Sequence, residues 1–267
     1  MRIKAAIKIA TASFLEAAAY RAYFFFNYIG NFVYILMIYF LWNAIFKSAG
    51  TEVINGMTFM QTFIYLALAR SMGGMLYTWT DWQMSNEMKS GNIAVKLIRP
   101  LDYQFGLLSA KFGDIATNFI LSFIPTIVVI SIITGNEIRF GLNLPFFLVS
   151  IIIAAIINML FDFLIGTLSF YTESVWGIST MKDVVVQLLA GAAIPLAFFP
   201  DKIRTVIEYL PFQAVYSLPL SVLLNKNLNW LDYLPVLAKQ MFWLVILLFL
   251  SRLFFNKARK VITVNGG

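Results

Sequence analysis

The sequence contains no cysteine and no histidine. These two absences exclude thiol nucleophiles, disulfides, zinc sites of the Cys/His kind and imidazole acid–base catalysis. Charge is scarce as well: 12% of the 267 residues are charged and 60% are hydrophobic, with a mean hydropathy of +0.80. Soluble domains carry about 25% charged residues, so a water-exposed globule of this composition would leave much of its apolar surface uncovered. The chain is read as an integral membrane protein. Its thirteen acids are dispersed singly, without the clustering that a metal site needs. The net charge of +7 is shared by nucleic-acid binders and membrane proteins. The basic residues flank apolar runs, which points to topology and anionic lipid, with no nucleic acid.

A hydrocarbon core of about 30 Å needs about 20 apolar residues in a helix. Five runs meet this requirement: 24–46, 57–79 (interrupted by Arg70), 115–134, 145–171 (interrupted by Asp162) and 234–251 (interrupted by Lys239). The stretch 184–224 is ambiguous. Its first half, 184–200, is uncharged but short, and its second half is broken by Arg204, Glu208, Pro211 and Pro219. Counting it as one crossing gives six spans. Thirteen basic residues then fall on the inside (Arg2, Lys4, Lys8, Arg21, Lys89, Lys96, Arg99, Lys111, Lys182, Arg252, Lys257, Arg259 and Lys260) and six on the outside. The positive-inside bias favours this count, with both termini cytoplasmic. The expected architecture is an all-α integral membrane protein in a single domain, 1–267. It comprises an amphipathic interfacial helix at 1–22, six transmembrane helices, a cytoplasmic loop at 80–106 and an external re-entrant hairpin at 201–226 between spans five and six.

The loop at 80–106 is the longest cytoplasmic connection. Asp81 is an N-cap candidate and Gly91 a stop, so 81–90 reads as a short amphipathic helix. In 91–103 apolar residues alternate with Lys96 and Arg99 before Pro100, which predicts an extended or turning backbone. A basic loop held by lipid headgroups would show this mixture, and so would a docking element for a cytoplasmic partner.

The run Glu87-Met-Lys-Ser-Gly-Asn-Ile-Ala-Val-Lys-Leu-Ile-Arg-Pro-Leu-Asp-Tyr103 resembles the segment after the second span in bacterial type-2 ATP-binding cassette (ABC) export permeases. Phe170-Tyr-Thr-Glu173 with Trp176 and Gly177 agrees with that pattern, as do Pro195, Pro200, Leu210-Pro-Phe212 and Pro219. The similarity extends over nearly the whole chain. It implies a permease half in the bacterial cell membrane that dimerises with an identical or paralogous second permease and rests a coupling helix on separate ABC ATPase subunits. The coupling residues it implies are Glu87, Lys89, Gly91, Lys96, Arg99, Pro100 and Asp102. No catalytic residue is expected, and neither is any cofactor on this chain, since ATP and magnesium would be bound by the partner. The cargo class it implies is drug-, peptide- or lipid-like. Independently, the phosphate-cradling pattern G-x-x-x-x-G-K-S/T is absent from the sequence. An ion-coupled secondary transporter is the alternative, although it would ordinarily show an inverted repeat or several midplane ionisable residues.

Charges within a span are expensive. Arg70 lies nine residues before Trp79 and Asp162 nine before Tyr171, so the two have matching depths. They either pair across the second and fourth spans, or Arg70 snorkels to headgroups while Asp162 bonds hydroxyls or Asn158, or they touch cargo. Asn27 with Asn31, and Asn158 with Asp162, each place two polar groups on one helical face. Such faces either line a path or join helices. Glu173 is expected at the inner gate or at a second ATPase contact, with an ordinary interfacial acid as the plain alternative.

Overall fold

The structure, a computed structural model, describes residues 7–9, 11, 12, 15, 21–135, 138, 141–225 and 229–261, with only the backbone at 21–25, 27 and 28. The expected interfacial helix at 1–22 therefore lies largely outside the described residues. The fragments that are described there are helical.

Helix α1 (Arg21–Ala49) leads into a two-residue hairpin, β1 (Val53–Ile54) and β2 (Met57–Thr58). Asn55 and Gly56 both take positive φ at its turn, the geometry that matches the twist of paired strands. Helix α2 (Phe59–Leu76) starts from a capping box, in which Thr58 Oγ1 accepts from the Gln61 amide and Gln61 Oε1 accepts from the Thr58 amide. Next come α3 (Thr80–Lys89), α4 (Asn92–Leu97) and α5 (Tyr103–Asn118). A π turn at Phe119–Phe123 carries α5 into α6 (Ile124–Ile133). Pro125 sits at the start of α6 and has no amide hydrogen to donate, so the helix widens in the turn preceding it. Helices α7 (Asn143–Thr167) and α8 (Trp176–Leu189) are followed by two short ones, α9 (Asp201–Glu208) and α10 (Ser217–Leu224), and by α11 (Leu234–Ala258).

Among the described residues, four helical stretches are long and apolar enough to cross a bilayer: Ile29–Ala49, Tyr103–Ile133, Asn143–Phe170 and Trp230–Ala258. This is an all-α membrane architecture apart from the small hairpin. Helix α2 is not one of the four, yet most of its side chains are buried. Helix α8 rises only about 21 Å. The helix where a fifth span is expected, at 184–200, covers Trp176–Leu189 and ends before Gly191, whose φ is +83°, and it is not among the four. The segment 91–103 is also more helical than its alternating pattern predicts, with α4 occupying Asn92–Leu97. Gly91 in the left-handed region reverses the chain, Ile93 is buried, and Lys96, one turn on, is drawn to Glu87, so one face of α4 is pinned.

Helix α7 forms the centre. It packs against α11, α3 and α10 and buries Phe147, Ala154, Ile157 and Phe163 completely. A second cluster joins Met84 of α3, Ile93 of α4, Tyr103 and Leu107 of α5, Met159 and Phe163 of α7, and Phe255 of α11. Gly166 lets α3 approach α7: a Cβ there would lie 2.7 Å from Met84 Sδ and 3.0 Å from Asp81 Cα.

Candidate functional site

Helix α3 presents three faces about 120° apart, as a 3.6-residue repeat requires. The first carries Asp81, Met84 and Ser85 against α7 and is buried; the second carries Gln83 and Glu87 towards α4 and α5; the third, with Asn86 and Lys89, is exposed. Asp81 is not the N-cap expected from the sequence. That position falls to Trp79, in the left-handed region at φ +53°, and Asp81 is turned inward with Oδ1 accepting from the Trp82 amide.

Lys182 of α8 is the hub of the first face. Its ammonium pairs with Asp162 of α7, with Asp183 at 2.7 Å and with Asp81 at 3.4 Å. The side chains of Lys182, Asp162 and Asp81 are 10%, 3% and 3% exposed. The Thr78 hydroxyl donates to Asp162 Oδ2, the Thr80 hydroxyl to Thr78 at 3.0 Å, and the Tyr77 hydroxyl to Asp183 Oδ2 at 2.9 Å. One turn earlier on α7, Asn158 donates to the Leu76 carbonyl at 2.9 Å, satisfying an acceptor left over at the end of α2. Asn158 and Asp162 therefore share a face that holds the break between α2 and α3. Of the alternatives raised by their spacing, the structure shows helix joining. Of the first-helix pair, Asn31 donates to Thr126 Oγ1 at 3.4 Å, while the Asn27 side chain lies outside the described residues.

The charge partner of Asp162 is thus Lys182 and not Arg70. The matching depths of Arg70 and Asp162 do not bring them together, because the Arg70 guanidinium stacks on Tyr34 of α1, 4.6 Å from the ring centre. Lys182, counted by sequence as a topogenic cytoplasmic lysine, is a buried structural cation. The sequence cue to its role was slight: a Lys182-Asp183 pair opening an apolar run.

Glu87 is the hub of the second face. One oxygen accepts from Gln83 at 2.9 Å and pairs with Lys96, and the other accepts from the Tyr103 hydroxyl at 2.7 Å. The Tyr103 ring stacks on Phe255 with centroids 5.5 Å apart. Asp102 caps α5 through the Phe105 amide at 2.9 Å and pairs with Arg252 of α11 at 2.6 Å. Three of the seven residues expected at the coupling surface, Glu87, Lys96 and Asp102, therefore form a clamp within the chain. Lys89, Gly91, Arg99 and Pro100 are exposed and share the surface with Val95 and Ile98, the latter 83% exposed. Glu173 is exposed in the turn after α7 and shares a groove with Ser85, Met88 and Lys89 of α3. Tyr103 and the exposed Ile98 were not singled out from sequence.

Two cavities of similar size lie further into the helical body. The inner one, about 740 Å³, is lined by Arg70, Tyr77, Lys111, Asp114, Asp183 and Gln187 among others. The outer one, about 750 Å³, is lined by Tyr65, Leu196, Arg204, Gln213, Ser217 and Tyr233 among others. Along three segments, near neighbours in sequence face different cavities: Ala69 and Tyr65 on α2, Ala193 and Pro195 after α8, Tyr216 and Ser217 at the start of α10. Tyr216 lines the inner cavity and Tyr65 the outer one, with Gly191 against the Tyr65 hydroxyl. Gly191 is obligatory there on two counts, its positive φ and a Cβ position only 2.7 Å from the Tyr65 hydroxyl oxygen.

Comparison with known proteins adds a family to this geometry. No curated protein and no solved structure gives a match, but the model of the ABC-2 family transporter proteins matches residues 32–266, from within α1 past the end of α11. That range holds both cavities and the α3–α4 module. The family's members are in general non-catalytic membrane subunits. The chain belongs to the ABC-2 transporter family, as a multi-pass membrane permease.

Proposed function

We propose that this chain is one half of an ATP-driven exporter and that α3 and α4 receive the power stroke of a separate ATPase subunit. The observation that carries this reading is an asymmetry of the α3–α4 module. Its inner faces are fixed to α5, α7, α8 and α11 by Glu87, Lys182 and the Met84–Phe255 cluster. Its outer face presents Lys89, Gly91, Val95, Ile98, Arg99 and Pro100 to solvent, with Glu173 alongside. Apolar side chains ringed by charge suit a protein–protein contact. A push on this face has rigid levers to act on.

In this reading the chain crosses the bacterial plasma membrane six times with both termini cytoplasmic, and α9 and α10 form the external re-entrant hairpin. Two permease halves, identical or paralogous, assemble with the ATPase subunits, which alone hold ATP and magnesium. The two separately lined cavities support alternating exposure of an inner and an outer chamber to drug-, peptide- or lipid-like cargo. The test is co-purification with the ATPase and measurement of stimulated hydrolysis. Ile98→Asp combined with Arg99→Glu, both outside the internal clamp, is expected to lower ATPase binding and stimulation at least about tenfold, a cost of about 1.4 kcal/mol. Insertion should be unchanged. Full stimulation by this double variant would refute the docking surface.

A further inference from the structure

Among the described residues, the cations bordering the inner cavity are matched, with one exception. Lys111 pairs with Asp114 at 3.4 Å, and Lys182 behind the wall is held by Asp81, Asp162 and Asp183. Arg70 lines the cavity, has no carboxylate within ion-pairing distance among the described residues and donates no hydrogen bond there. Tyr34 covers one face of its guanidinium. The π contact leaves the edge of the fork, with its N–H donors, unused. That edge has the geometry for two oxygens of a carboxylate or phosphate. Arg70 is also exposed, in a helix that is otherwise largely buried, so its head faces open space. Gly73, Gly74, Ala192 and Ala193 line the same cavity, and the small side chains leave room beside the cation. Its volume of about 740 Å³ is in the range that encloses a drug-sized ligand.

We propose that Arg70 is the anion-binding residue of the inner cavity and that the ligand is an amphiphile bearing a carboxylate or phosphate head. The oxygens meet the guanidinium edge, and the apolar part lies along the glycine and alanine wall. Tyr34 holds the guanidinium flat and presents its edge. This rests on the permease reading, since it assigns a cargo chemistry to the cavity.

The test uses the full chain in phosphatidylcholine nanodiscs, with dodecyl phosphate and dodecyltrimethylammonium as probes and empty nanodiscs as the correction. Wild type is expected to bind dodecyl phosphate at least about tenfold more tightly than the cationic probe. Arg70→Gln should remove that preference, and Arg70→Lys should keep most of it. Equal dodecyl phosphate binding by wild type and Arg70→Gln overturns the proposal, as does Arg70→Lys failing as completely as Arg70→Gln. If Arg70→Gln does not fold, wild type decides alone: dodecyl phosphate should protect Arg70 from phenylglyoxal modification read by mass spectrometry, and absence of protection overturns the proposal. Nanodiscs containing phosphatidylglycerol separate the two sources of the anion. Retained phosphatidylglycerol that competes with the probe identifies a lipid headgroup, and absence of competition identifies a soluble amphiphile. Neither the ATPase nor its stimulation enters this experiment, so its failure leaves the permease reading to its own test.

Discussion

Two charge clusters hold the same ten-residue helix, α3, from different sides, and they differ in burial. At the Lys182 cluster the cation is 10% exposed and two of its carboxylates are 3% exposed, whereas at the Glu87 clamp the lysine is 33% exposed. The Asp102–Arg252 pair, which ties the end of the same loop to α11, is about 40% exposed on both sides. Pairs in water contribute little because solvent already stabilises each charge, while removing one partner of a buried set leaves an uncompensated ion. The gradient predicts that α3 is attached firmly where it meets α7 and α8 and more loosely where it meets α4 and α5. A lever working against an ATPase would need this arrangement, with a fixed inner face and an adjustable outer loop.

The largest expected effect comes from Lys182→Met, which strands Asp162 and Asp81; a loss of about 3–5 kcal/mol is expected, read as a fall in thermal midpoint of the detergent-purified chain. Adding Asp162→Asn should recover part of this loss, and failure to recover would show that the lysine acts through packing. Next is Gly166→Leu, which drives a side chain into Met84 and the Asp81 backbone; about 1–3 kcal/mol of overpacking is expected, with loss of ATPase stimulation. Glu87→Gln keeps an acceptor for Tyr103 but discards the charge that pairs with Lys96, and about 1 kcal/mol is expected. Its effect should be greater on stimulation of the ATPase than on the midpoint. The smallest is Arg252→Ala, at about 0–1 kcal/mol. If Arg252→Ala proved as costly as Lys182→Met, the gradient of attachment would be wrong.

How much could be read in advance differs among the helices. The long apolar helices α1, α7 and α11 were legible because a bilayer demands a length and a hydropathy, and both are local properties. The break after α2 was not legible, because Leu76, Thr78, Asn158 and Asp162 meet only when α7 lies beside it. Asp162 was recognised as an intramembrane acid needing a partner, with Arg70 at matching depth, neighbouring hydroxyls or Asn158, and cargo as the alternatives; a hydroxyl, that of Thr78, is among the partners it has. The structure chose Lys182, twenty residues along the chain, because the turn at 171–175 returns α8 to the same level. The loop at 80–106 divides similarly. Of the residues expected there from sequence, Lys89, Gly91, Arg99 and Pro100 are exposed, while the inward placement of Glu87, Lys96 and Asp102 depended on Tyr103 and Arg252 arriving from elsewhere.

Composition and periodicity by themselves determined that this is a helical membrane protein lacking thiol and imidazole chemistry, with one long loop rich in charges of both signs, since those follow from what each residue does in water or lipid. Only the tertiary structure decided which charges are spent on one another and which, like Arg70, are left facing a cavity. Ion pairing acts over a few ångströms, and contacts at that range between distant segments are set by the packing of helices.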